Sequence, residues 1–137
     1  MKSFALKIVT PDGVAYEGQA EELIVRTTTG DMGFLAGHCN AVSPLGMGQA
    51  TVLINGEKRY AACIGGMVSV VNGTVNLVPT TFEWAENIDV ARAEASKDRA
   101  KKVLADKNAS KTEIALAEAR LKRALVRTSV ATYKPKR

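Results

Sequence analysis

The chain has 137 residues, 46% hydrophobic and 24% charged, with a formal net charge of +5. That suits one ordinary domain, or a domain with a small appendage, around a modest core, and it predicts a soluble globular protein. No apolar run approaches the roughly 18 residues of a membrane span. The opening MKSFALKIVTPDG alternates and then turns, unlike a secretory signal. Cys39 and Cys63 lie far apart with no CxxC, so free thiols in a reducing cytoplasm are expected rather than a disulfide framework.

In FALKIV, Phe4, Leu6 and Ile8 alternate with Ala5, Lys7 and Val9, the period of a strand with one buried face. PDG at residues 11–13 then turns the chain. Gly13 and Gly18 have the spacing of a phosphate loop, but Gln19-Ala20 stand where Lys and Ser/Thr are needed, so the glycines read as turn punctuation. Asp31, between Gly30 and Gly33, reads locally as a turn acid. His38-Cys39 pairs two soft ligands, yet a zinc site wants about four, so a structural or interface histidine is expected. With one histidine, no matched carboxylate pair and no serine elbow, the chain offers little to a nucleophilic or acid/base enzyme.

Asn55-Gly56 and Asn72-Gly73 each separate two strand-like runs, and both residues of each pair tolerate the positive φ of a type I′ hairpin turn. Short strands with turns between them indicate an antiparallel sandwich or barrel. All eleven glycines fall between Gly13 and Gly73, whereas twelve alanines lie between Ala85 and Ala131, which sets a boundary near residues 80–88. The expected domains are 1–85, carrying a net −2, and 86–137, carrying +7.

The second part reads as two helices. Asp89 is an N-cap for a helix over about residues 90–106. DKNAS breaks the pattern, and Ser110 with Glu113 forms a capping box that starts the next helix. There Ile114, Ala117, Leu121, Leu125 and Thr128 trace one narrow apolar face. So few large side chains predict a hairpin less stable than the strand region.

Asp89, Arg92, Ser96 and Arg99 fall at steps of three and four and share a helix face; Arg120, Arg123 and Arg127 do the same on the second helix. An antiparallel turn centred near residue 108 brings Arg92 level with residue 125, between Arg123 and Arg127. Facing guanidiniums repel, so a closed hairpin should favour an anion between them, and the planar arginine fork suits polyphosphate. Two other readings stand beside this one. The stripes are also what solvated helix faces look like, and a +7 hairpin is also a candidate for nucleic-acid backbones. Tyr133 is the one aromatic residue of the hairpin region, which offers no stacking platform for single strands.

VTPDGVAYEG, GDMGFLAGHCNAV, GGMVSV, IDVARA and LKRALVRTSVA, in this order, resemble segments of the epsilon subunits of bacterial F-type ATP synthases. The likeness spans nearly the whole length. It implies an N-terminal antiparallel β-sandwich that binds the gamma subunit and the c-ring, followed by a C-terminal two-helix antiparallel hairpin. The extended hairpin would reach the alpha/beta catalytic head and restrain ATP hydrolysis. The resemblance implies no catalysis by the chain itself, no metal or redox cofactor, no nucleic acid, no membrane insertion, and a peripheral place on the cytoplasmic face of the bacterial membrane.

Some such subunits bind ATP as a regulatory ligand through an I/L-D-x-x-R-A motif, with Mg²⁺ left open. Here the motif is Ile88, Asp89, Val90, Ala91, Arg92, Ala93, and the resemblance adds Glu83, Arg99, Arg123 and Arg127. It also implies that Asp31 and His38 meet the partner subunits. Ala36 and Asn40 depart from prolines common around that histidine, and the tail YKPKR is unusually basic.

Overall fold

The computed structural model describes residues 2–134; Pro135, Lys136 and Arg137 of the basic tail lie outside the described residues. The chain divides into two compact units, Met1–Trp84 and Ala85–Arg137.

The first unit contains β1 (Phe4–Thr10), β2 (Gly13–Ala20), β3 (Glu22–Thr27), β4 (Gly30–Phe34), β5 (Ala41–Pro44), β6 (Met47–Ile54), β7 (Glu57–Ile64), β8 (Met67–Val71), β9 (Thr74–Val78) and β10 (Thr81–Trp84). They form two five-stranded sheets, in the orders β2-β1-β9-β8-β5 and β10-β7-β6-β3-β4. The predicted sandwich is there, with one departure from a wholly antiparallel design: β1 pairs with β9 in parallel, Ala5 to Ile8 opposite Thr74 to Leu77.

Period-two alternation puts Phe4, Leu6 and Ile8 of β1, Val68 and Val70 of β8, and Val75 and Leu77 of β9 in the buried core. Leu23, Val25, Phe34 and Val52 join them from the other sheet. Each such side chain contributes about 1.5–3 kcal/mol on full burial.

Both Asn-Gly pairs form the expected turns, with φ of 50° and 80° at Asn55 and Gly56, and 51° and 81° at Asn72 and Gly73. Each tip is tied to a distant side chain. The Gly56 N–H donates to Glu21 Oε1 at 2.8 Å, and the Asn72 N–H donates to Asn40 Oδ1 at 2.9 Å. Asn40, one of the two departures from proline, thus anchors its loop to the β8–β9 turn. At Gly66, φ is +95° and a Cβ would lie 2.1 Å from the Val78 carbonyl oxygen, so only glycine fits.

The second unit opens with a single 3₁₀ turn, Ala85–Asn87, and continues as α1 (Val90–Ala105) and α2 (Lys111–Ala131). Asp89 caps α1, its Oδ1 accepting from the Arg92 N–H at 3.0 Å. Ser110 caps α2, accepting from the Glu113 N–H at 3.1 Å while its hydroxyl donates to the Glu113 carboxylate at 3.2 Å.

The buried line of the hairpin differs from the predicted one. Leu125 is 47% exposed, while Ala124 is 1% exposed. The buried residues Ala93 and Ala100 on α1, and Ala117 and Ala124 on α2, repeat at seven-residue spacing, with Ile114, Leu121 and Thr128 half-buried alongside. Small side chains on this seam let two helices approach closely, and a leucine one position on is carried to the outer face.

Candidate functional site

A groove of about 520 Å³ runs along the hairpin beside the alanine seam. From α1 it takes Ser96, Arg99, Ala100 and Val103; from α2 it takes Glu113, Leu116, Ala117, Arg120, Arg123 and Arg127. The steps of three and four between these residues follow from the helical period, which stacks every such residue on one stripe. Four arginines therefore line one concavity, with Glu113 as the one acidic residue among its lining residues. Ala100, Val103, Leu116 and Ala117 add apolar surface towards the interhelical loop. The volume is within the range of small-molecule sites, and the chemistry suits a ligand with an anionic part and an apolar part.

Of the residues named from the sequence, Arg99, Arg123 and Arg127 come together in this groove. Arg120, on the same predicted stripe though outside the ligand set, joins them, and so does Ser96. Ile88, Asp89, Arg92 and Ala93 are not among the lining residues. Ile88 is buried ahead of the helix, Ala93 lies in the seam, and Asp89 and Arg92 are exposed. Arg92 continues the stripe of Ser96 and Arg99 one helical turn further on. Glu83 belongs to the first unit, on β10 opposite Ala62 of β7. On α1 the half-buried Glu94 carboxylate holds the half-buried Lys97 ammonium at 2.7 Å, and this hydrogen bond raises the lysine pKa.

Asp31 is not a turn acid. It is the second residue of β4, opposite Arg26 of β3, whose Nη1 donates to Asp31 Oδ1 at 3.3 Å. Both side chains are more than half exposed, so this pair contributes little. His38 follows β4, with its ring tilted against Phe34 at 4.9 Å between centroids. The His38 Nδ1 lies 2.7 Å from the Cys39 carbonyl oxygen. Since a carbonyl only accepts, Nδ1 carries a proton and donates it to that oxygen. Among the described residues no three His, Cys, Asp or Glu side chains gather as metal ligands, and no helix is long and apolar enough to cross a membrane.

The family model "ATP synthase, Delta/Epsilon chain, beta-sandwich domain" matches residues 3–85, and "ATP synthase, Delta/Epsilon chain, long alpha-helix domain" matches residues 86–132. The chain belongs to the ATP synthase delta/epsilon family. An ATP synthase epsilon chain of Ruminococcus albus is 42% identical over 98% of this chain and 100% of its own length. One from Caldanaerobacter subterraneus is 41% identical over 96% and 95%.

In fold, the chain resembles a chain of the Euglena gracilis mitochondrial ATP synthase, with a TM-score of 0.82 at 22% identity over 96% of this chain and 82% of that one. A chain from the central stalk and c-ring of the Tetrahymena thermophila enzyme gives 0.62 at 12% identity over 96% and 98%. Membership of the delta/epsilon family accounts for a sandwich and a long-helix region in one chain.

Proposed function

We propose that this chain is a non-catalytic central-stalk subunit of a bacterial F-type ATP synthase, and that its hairpin is an ATP-sensitive brake on hydrolysis. The sandwich would seat on the gamma subunit and the c-ring through the region of Asp31 and His38, at the cytoplasmic face of the membrane. The extended hairpin would act on the alpha/beta catalytic head. The observation that carries the regulatory half is the groove, where Arg99, Arg120, Arg123 and Arg127 converge beside apolar surface.

ATP is the ligand proposed. Its phosphates would meet the guanidiniums, and Asp89 and Arg92 would extend the site beyond the N-terminal end of the groove, next to Ile88 and Ala93. A ligand that binds only the closed hairpin shifts the population towards that form, by no more than its difference in affinity for the two forms. ATP then acts as a signal and is not consumed.

Calorimetric titration of the full chain with ATP, with and without Mg²⁺, tests the site. Charge-assisted hydrogen bonds contribute roughly 1.5–3 kcal/mol, so Arg99→Ala and Arg123→Ala should each weaken binding about tenfold or more. Equal affinities in all three proteins would remove it. Adding the chain back to an ATP synthase depleted of this subunit tests the brake. Hydrolysis should fall, and ATP should relieve the restraint in the wild type and less so in Arg123→Ala.

A further inference from the structure

The two Asn-Gly turns form a matched pair that differs in how the attacking atom of asparagine deamidation is held. We propose that Asn72 is a site of spontaneous succinimide-mediated modification, and that Glu21 protects Asn55 from the same reaction. In this chemistry the backbone nitrogen of the following glycine, having lost its proton to hydroxide, attacks the asparagine side-chain carbonyl carbon. The bond to the side-chain nitrogen breaks, and that nitrogen takes a proton from water, regenerating hydroxide, and leaves as ammonia, closing a five-membered succinimide. Water then opens the ring at either carbonyl, giving aspartate or isoaspartate.

Both asparagines are exposed and both precede a glycine, which offers the least steric hindrance to ring closure. Their φ angles nearly coincide, at 50° and 80° in one turn and 51° and 81° in the other. Sequence and turn type therefore predict equal reactivity.

The tethers do not. The nitrogen that must attack Asn55 is that of Gly56, and its N–H is held at 2.8 Å by the Glu21 carboxylate. This works against the reaction twice. The charge-assisted bond keeps the amide in the turn, where ring closure needs it to swing towards the side chain. A deprotonated amide would also face a carboxylate at hydrogen-bond distance, and like charges disfavour ionisation. At the other turn the tether falls on the wrong atom for protection. Asn40 holds the N–H of Asn72 itself, on the far side of the bond that must rotate, and among the described residues no hydrogen bond joins the Gly73 N–H to a carboxylate.

Modification at Asn72 has a local consequence. It adds a carboxylate beside the loop that carries His38 and Asn40. In the isoaspartyl form it also lengthens the main chain within a tight turn, which breaks the tie to Asn40 Oδ1.

The test ages the full chain in mildly alkaline buffer, folded and in concentrated urea, and follows both sites by peptide mass mapping and isoaspartyl labelling. The urea sample corrects for the different residues after each glycine. Folding should slow Asn55 more than Asn72 by about tenfold, the factor that roughly 1.4 kcal/mol of restraint corresponds to. Glu21→Ala should bring the folded-to-urea rate ratio at Asn55 up to that at Asn72. Equal retardation at the two sites, faster reaction at Asn55, or no response of Asn55 to Glu21→Ala would each overturn the proposal.

Discussion

Replacing Asp89 separates two roles that one carboxylate could hold. Its Oδ1 accepts from the Arg92 N–H at 3.0 Å, satisfying one of the donors that the first turn of α1 leaves without an intrahelical partner. Asp89→Ala removes that acceptor, at a cost of about 1 kcal/mol. It also removes a negative charge from the positive end of the helix, roughly a further 0.5 kcal/mol for an exposed group. The sum corresponds to about a tenfold rise in opening of the first turn. Asp89→Asn keeps an oxygen in the capping position and loses only the charge, so about a twofold rise is expected.

Hydrogen exchange at the Arg92 amide reads this directly, with the buried strands of the first unit as an internal reference that should not change. Exchange at the wild-type rate in Asp89→Ala, or equal acceleration by Asn and Ala, would refute the capping account. If Asp89→Asn keeps the cap and still loses nucleotide affinity, the carboxylate has a ligand role in addition.

Three further outcomes are expected. Ala124→Leu overfills the alanine seam and should destabilise the hairpin by about 1–3 kcal/mol, whereas Leu125→Ala should change it by under about 0.5 kcal/mol; helix loss followed by circular dichroism in urea would contradict the seam if the two were alike. Gly66→Ala combines φ of +95° with a main-chain collision at 2.1 Å and should cost about 3 kcal/mol or more, while Gly13→Ala, with nothing within 4 Å, carries conformational strain alone; similar thermal shifts would show that the collision relaxes freely.

Burial pushes the Cys63 thiol up to about 12, so native protein near neutral pH should be alkylated at exposed Cys39 only. The same shift makes stability fall as pH climbs from the ordinary thiol range towards 12, because the unfolded chain ionises first. Two labelled thiols in the native state, or stability flat across that interval, would contradict it.

Much of this was legible because it is local. Asn-Gly dictates its turn through positive φ, and Asp89 and Ser110 dictate helix starts within one turn of themselves. The helix expected to run to about residue 106 ends at Ala105. What was not legible depends on partners far along the chain. Nothing in FALKIV announces that its neighbour is β9 and runs parallel.

Asp31 looked like a turn acid because its flanking glycines outweighed a cross-strand partner that sequence cannot display. Leu125 drew the predicted seam off by one position, since large apolar residues dominate a search for helical stripes. The heptad of alanines was visible but weakly hydrophobic. For the groove, the helical period supplied the arginine stripes. Where the concavity stops, short of Arg92, depends on how the two helices meet.

The position of β1 inside its sheet constrains how the protein is made. Its parallel neighbour is synthesised roughly seventy residues later, so the first strand to emerge must wait unpaired on one side until almost the entire sandwich sequence is available. Local hairpins such as β6–β7 can close early, but they cannot complete the barrier between core and water. A nascent chain truncated before β9 should therefore expose the apolar side of β1 to chaperones, and strengthening the nearby turns would not spare it that interval.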